Sequence, residues 1–318
     1  MSSRVRTTVL DGWRISQRLR DKICYKTQAL YRISGKRPSL AVVRVGESLE
    51  MERYVYAKRQ LAFSLGVDFH DYIYPLGIPT NELKQRIQEL NKEKKIHGLI
   101  IQLPLPGTIR SQEVLDVIDP VKDVDGCTTA NKLLLANSEI ASLTTIHIPC
   151  AAMAMFHFLR SYGISTMNKT AVVVGRSELV GIPCATLLHK AGCECSFIDK
   201  STVHPEEIAS KADILVTAVG CPGLVRREWL KPGCCIIDVG TTCVKNKRGK
   251  YELVGDVDLG GCIGSAGCIT PVPGGVALLT TAMLMLNTVK SMVLQENLTE
   301  QYNRMAEMPL ASDSYPLS

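Results

Sequence analysis

Short apolar runs alternate with stretches of helical period along most of this chain, and no other feature limits its possible folds so strongly. Leu40–Val45 is rich in valine and stops at Gly46, and Gly98–Leu103 is closed by Pro104 and Pro106. Thr170–Val174, Cys193–Ile198, Ile214–Ala218 and Cys235–Val239 have the same character, and Asp68–Tyr74 alternates loosely. Mostly apolar runs of this length suit strands buried on both faces, as in parallel sheets. Between them, Ile15, Leu19 and Ile23 recur at helical spacing and predict a helix from about 13 to 33. Further helices are predicted over Tyr54–Leu65, Asn81–Leu90, Cys150–Leu159, Leu179–Lys190 and His204–Ser210, with a final one over Val276–Val293.

Such alternation argues for an α/β chain with helices on the faces of mostly parallel sheets. The pattern restarts after Pro149, which predicts two α/β domains, the second a Rossmann-type dinucleotide-binding unit. The expected boundaries are 1–149 for the first domain, completed by a C-terminal helix at about 276–295, and 150–275 for the second. Residues 296–318 are polar, contain Pro309 and Pro316, and are expected to be a flexible tail.

With 46% hydrophobic and 21% charged residues in 318, the chain has the makings of packed cores. The net charge of +6 is spread without a dense basic run, which favours small anionic ligands over nucleic acid. None of the 12 cysteines forms a pair with zinc-site spacing, and His147 and Cys150 stand as an isolated couple, so buried reduced thiols are expected and no metal site. The N-terminus has no apolar signal core, and Arg4 and Arg6 give only a faint suggestion of a mitochondrial leader. The most apolar stretch, Val276–Leu286, is short for a bilayer. A cytoplasmic protein without membrane contact is the expectation.

The segment Ala171–Pro183, AVVVGRSELVGIP, carries the clearest chemistry. Gly175 lets the chain turn after three valines, and Ser177 is placed to cap a helix opening near Glu178. Free N–H groups at that helix start, with Arg176 adding charge, would suit a phosphate, and Gly181 would let the helix approach the strand. The spacing is longer than the usual dinucleotide fingerprint, so an ordinary strand–turn–helix joint is the plainer alternative. About 20 residues on, Asp199 stands where an acidic group accepts ribose hydroxyls, which favours NAD over NADP. The adjacent Lys200 pulls the other way, and a solvated strand-end role for Asp199 stays open.

In the first half, Tyr54 and Lys58 share one helix face, so Lys58 is either an acid/base or a lysine lying along the surface. Gln102 interrupts an apolar strand at its C-terminal end, where open α/β sheets place ligands, or else is a hydrogen-bonded core amide. Asp123 and Asp125 precede Gly126. A turn is expected from Asp123, while Asp125 could bond the amide-like edge of a heterocycle. Pro273, Gly274 and Gly275 form a rigid loop before the last helix, which would let backbone approach a flat ligand or simply open that helix.

Taken together, YVYAK at 54–58, IIQLPLP at 100–106, DVDG at 123–126, VVGRSELVG at 173–181, VGDVD at 254–258 and ITPVPGGV at 269–276 resemble the bifunctional methylenetetrahydrofolate dehydrogenase/cyclohydrolase family. The resemblance runs from Leu10 to about Val293 and implies two α/β domains flanking a cleft, the first for folate and the second for NAD or NADP. It implies oxidation of 5,10-methylenetetrahydrofolate to the methenyl form and hydrolysis to 10-formyltetrahydrofolate, by a homodimer. Carried over, Lys58 would be the acid/base of hydrolysis, with Gln102 positioning it. Tyr54 would lie along the substrate, Asp125 would anchor its pterin, and Gly175, Arg176 and Ser177 would hold the cofactor phosphates.

The chain departs from the family pattern at Met51, where serine is usual, at Ala151, Ala152 and Ala154 after Pro149-Cys150, and at Ala277, Leu278 and Leu279. Two other readings follow from these changes: a dehydrogenase alone, linked to NAD, or a catalytically weak paralogue that binds ligands or partners.

Overall fold

The computed structural model describes residues 5–139, 147–246 and 249–306. The chain divides into two compact units, one comprising residues 18–131 and 284–318, the other residues 1–17 and 132–283. It opens with β1 (Thr8–Val9) and α1 (Gly12–Ser34).

The first unit is built on β2 (Ser39–Val45), β3 (Asp68–Tyr74) and β4 (Gly98–Ile101), in the order β3–β2–β4 and all parallel. Every residue of β2 is buried, as its apolar run requires of a central strand. A bridge between Leu99 and Asp123 adds the DVDG segment beside β4. Helix α2 (Leu49–Ser64) begins earlier than the apolar period suggests, because the Ser48 hydroxyl accepts from Met51 N and caps it. Helix α3 (Thr80–Lys92) buries Leu83, Ile87 and Leu90 at helical spacing. Two short helices follow, α4 (Ser111–Leu115) and α5 (Thr129–Asn137).

The second unit holds α6 (Cys150–Ser161), β5 (Thr170–Val174), α7 (Gly181–Lys190), β6 (Glu194–Ile198), α8 (Pro205–Ala209), β7 (Ile214–Thr217) and β8 (Cys235–Asp238). An antiparallel hairpin, β9 (Thr242–Lys245) and β10 (Tyr251–Val254), precedes α9 (Leu259–Cys262) and β11 (Cys268–Ile269). Six strands form a parallel sheet in the order β1–β11–β8–β7–β5–β6. Strand β5 is flanked by β6 on one side and β7 on the other, so the winding direction reverses at its C-terminal end, where doubly wound sheets receive ligands. Val172, Val174, Ile198, Leu215 and Ile236 form the heart of one core cluster.

The N-terminal strand joins this second sheet through β11, although the sequence reading left residues 8–9 without an element. The apolar stretch at 276 forms α10 (Val276–Gln295), the bounds expected for the C-terminal helix, and 67% of its most apolar part is buried, as in a core helix. It is not the last helix: the tail expected from 296 contains α11 (Thr299–Ala306), where the Tyr302 hydroxyl accepts from Lys26 Nζ at 2.7 Å. The rest of that expected tail, 307–318, lies outside the described residues.

Candidate functional site

At the C-terminal edge of the three-stranded sheet, Gln102 follows β4 directly and its N–H donates to Val43 O, continuing the ladder. Lys58 Nζ, half-buried on α2, donates to Gln102 Oε1 at 2.5 Å. Gln102 Nε2 donates to Leu103 O, which fixes the amide so that its oxygen faces the amine. Lys58 is therefore held by a strand residue rather than laid along the surface, and Tyr54 stands one turn before it, also half-buried. Sequence reasoning missed the clamp that seats α2. Buried Arg44 on β2 pairs with Glu52 on α2 and with Asp71 on β3, and Asp71 also accepts from Arg59. An arginine inside the run AVVRV was the available signal.

The two aspartates of DVDG differ in role. Asp123 is buried and its carboxylate accepts from Cys127 N, Thr128 N and Asn131 Nδ2, so it ties the turn, as its sequence position suggests. Asp125 is half-buried, one residue beyond a carbonyl that accepts from Asn287 Nδ2 of α10. Among the described residues no group of three His, Cys, Asp or Glu side chains is placed to hold a metal ion.

In the second unit, Gly175 ends β5 with φ of 108° and donates its N–H to Ile198 O. A Cβ on Gly181 would overlap Gly175 O, so this glycine does permit helix and strand to touch. The helix starts at Gly181, later than read, and its first N–H groups are not left for a ligand. Ser177 Oγ accepts from Val180 N and Gly181 N, and Ser177 O accepts from Ile182 N. A serine placed four residues before the helix satisfies those donors itself. It keeps its own hydroxyl proton to donate. Arg176 is exposed, with its guanidinium 5.6 Å from the Phe197 ring centre.

Asp199 caps the turn after β6. Its Oδ1 accepts from Ser201 N and Ser201 Oγ, and these bonds, with the Arg176 charge adding, hold its carboxyl below the usual carboxylate range. Lys200 is exposed. The loop of Pro273, Gly274 and Gly275 is shaped first by its own backbone: Gly12 N donates to Gly274 O at 3.0 Å, and a Cβ on Gly12 or Gly275 would strike a loop carbonyl. Pro273 is exposed and Gly274 half-buried.

A buried acidic pair was not anticipated. Asp238 ends β8 and accepts from Thr217 Oγ1, Gly240 N and Val257 N, while Asp256 accepts from Val219 N and Cys221 N. Burial, with the Asp256 charge adding, pushes the Asp238 carboxyl up to about 6. The two carboxylates thus organise the loops after β7 and β8. The motif VGDVD pointed to them, but its partner Asp238 lies in an unremarkable strand end.

The departures fall in three settings. Met51 sits in the first turn of α2, half-buried. Ala152 and Ala154 are buried on α6, and Ala151 is half-buried. Ala277 is exposed in the first turn of α10, Leu278 is half-buried and Leu279 is buried.

Comparison with known proteins matches residues 10–125 to the tetrahydrofolate dehydrogenase/cyclohydrolase catalytic domain and residues 149–296 to the NAD(P)-binding domain of the same enzymes. The chain is 38% identical to Bifunctional protein FolD 2 of Arabidopsis thaliana, across 88% of this chain and 94% of that one. It is similar to the crystal structure of the bifunctional FolD enzyme from Campylobacter jejuni, with a TM-score of 0.84 and 34% identity, covering 92% of this chain and 99% of that one. The Trypanosoma brucei methylenetetrahydrofolate dehydrogenase-cyclohydrolase, complexed with NADP cofactor and inhibitor, gives a TM-score of 0.83 at 32% identity, with 95% and 99% covered.

Proposed function

From the premise that this chain belongs to the tetrahydrofolate dehydrogenase/cyclohydrolase family, we propose that it carries out both reactions of that family. It oxidises 5,10-methylenetetrahydrofolate to the 5,10-methenyl form with a nicotinamide dinucleotide, and hydrolyses that cation to 10-formyltetrahydrofolate. The observation that carries the reading is the Lys58–Gln102 hydrogen bond, held between a helix and a strand end at the ligand-receiving edge of a parallel sheet.

The dinucleotide, when bound, supplies the electron acceptor for oxidation. The protein's part there is to bind and orient. Arg176 offers a charge and Ser177 a hydroxyl proton to its phosphates, and Gly175, with its positive φ, makes the turn so close to Ala218 O that a Cβ would overlap it. Gly181 lets the loop lie flat against the sheet, and Asp199 receives the adenosine ribose hydroxyls. A carboxylate held ionised there repels a 2′-phosphate, which favours NAD; Arg176 and Lys200 soften the preference.

Hydrolysis needs a proton taken from water and another delivered to a ring nitrogen. Lys58 performs both, and Gln102 Oε1 aims its amine by accepting one N–H. Tyr54 lies along the folate and Asp125 anchors the pterin edge, while Pro273, Gly274 and Gly275 offer backbone to a flat ligand. We further propose a homodimer, a reading supported by the family resemblance, and place it in the cytoplasm. Light scattering of the purified chain and imaging of a tagged copy test these two points.

The decisive experiment follows reduced cofactor and methenyl product separately, with 5,10-methylenetetrahydrofolate and either NAD or NADP. Reduced cofactor without methenyl accumulation is the expected result, with the faster rate for NAD. Methenyl persisting to its spontaneous decay would restrict the protein to dehydrogenation. No signal with either cofactor, from folded protein, would overturn the proposal.

A further inference from the structure

Cys235 opens β8 and Cys268 opens β11, and the two are register partners in a parallel ladder. Registered residues on neighbouring strands share a face and stand about 4.8 Å apart. That spacing lies inside the Cα window of about 4.4–6.8 Å that a disulfide accepts. The two thiols stand near enough that each shifts the titration of the other. The backbones are drawn close here as well: Gly267 N donates to Cys234 O at 2.8 Å, and a Cβ on Gly267 would overlap Gly233 O. Cys235 is buried, whereas Cys268 is partly exposed and within reach of a small reagent. The neighbouring thiols do not compete. Cys234 and Cys262 belong to a core cluster, where burial pushes them up to about 12 and about 11.

We propose that Cys235 and Cys268 form a reversible dithiol–disulfide site that is oxidised by hydroperoxides. The Cys268 sulfur attacks the peroxide, so that an S–O bond forms, the O–O bond breaks and an alcohol or water leaves. Cys235 then attacks that sulfur; the S–S bond forms, the S–O bond breaks, and the departing hydroxide takes the Cys235 proton as water. Two thiols lose two electrons and two protons, and the peroxide gains them. The order of attack follows exposure, and the pairing agrees with it: beside each other, the Cys268 thiol lies below its ordinary value and the Cys235 thiol above. Side chains that leave a pleat in parallel rather than converging make a strained bond, and strained disulfides are the easily reduced ones. The bond would staple a strand of two residues, β11, whose next residues are the Thr270–Gly275 loop.

The test treats the full chain with hydrogen peroxide, alkylates the remaining thiols and maps peptides by mass. A peptide pair linked through Cys235 and Cys268 is expected, released by dithiothreitol and absent from Cys268→Ser. In Cys235→Ser, a sulfenic acid at Cys268, trapped by dimedone, is expected instead. Amide exchange at Ile269 and Thr270 should slow in the oxidised wild type. Both thiols remaining open to alkylation, or Cys268 linked to some other cysteine such as the exposed Cys221, would overturn the proposal.

Discussion

Lys58 on α2 and Gln102 after β4 meet at 2.5 Å although 44 residues separate them. The amide accepts an N–H from the amine while its own Nε2 is tied to Leu103 O, so the amine is aimed rather than free to swing. Replacing Lys58 by alanine removes the proposed proton-transfer group. A loss of about 10²–10⁴ in hydrolysis is expected, the usual range for general acid/base catalysis. Hydride transfer should persist, because it uses no proton. Equal loss of both activities in folded Lys58→Ala, followed by methenyl absorbance and cofactor reduction, would remove the division of labour.

Asp199 bears on cofactor choice. Its carboxylate is held ionised by Ser201, with Arg176 nearby. Asp199→Ser removes the repulsion toward a 2′-phosphate and leaves Arg176 and Lys200 to attract it. The ratio of kcat/KM for NADP to that for NAD should rise roughly tenfold. An unchanged ratio would place Asp199 away from the ribose.

Gly181 tests the dinucleotide loop through packing. A Cβ there overlaps the backbone carbonyl of Gly175, which no side-chain rotation relieves. Gly181→Ala is expected to cost about 1–3 kcal/mol in stability, as overpacking does. It should also raise KM for the dinucleotide, because the loop must lift from the sheet. A variant with unaltered melting temperature and KM would contradict the contact.

Asp238 makes stability depend on pH. Its carboxyl is pushed up to about 6 from an ordinary 3.8, so the folded state binds its proton more tightly than the unfolded state. Stability from this group is complete below the unfolded value and is lost as pH rises through about 6. A shift of roughly two units corresponds to about 3 kcal/mol. Denaturant unfolding of wild type and Asp238→Asn from pH 4 to 8 should show the wild type's relative stability falling across that window. A gap independent of pH would show that Asp238 does not titrate there.

The parts of the fold that were legible are those with a strong local signature. Strands β3 and β5 have the bounds that their apolar runs and flanking residues suggest. Helix α6 was marked by Pro149 before it, and ran two residues past the reading. Strands β1 and β11 were illegible because two residues carry no period. The start of α2 was missed because its cap, Ser48, lies six residues before the apolar pattern begins at Tyr54. At the site, the resemblance singled out Lys58 and Gln102, but the bond between them depends on where β4 brings the strand end, and on the Arg44 clamp that seats α2. Ser177 shows the opposite limit: the helix it was expected to cap starts four residues later, with Val180 as its N-cap, yet its hydroxyl still takes N–H groups that were expected to face a phosphate.

Strand β1 has a consequence for how the protein is made. Its neighbour Thr7 bonds to Ala266 O, 259 residues further along, and among the described residues β1 itself pairs with β11 alone. During synthesis at about 5–20 residues per second, the first strand emerges from the ribosome well before its partner exists. For something like 15–50 s that segment has no place in the sheet, and only in the last few seconds does the edge of β8 stand open for β11 to cover. Contacts so distant in sequence also slow folding after release. The nascent chain is therefore most exposed to mispairing late in translation, and a chaperone that shields its leading residues would act before the sheet can close.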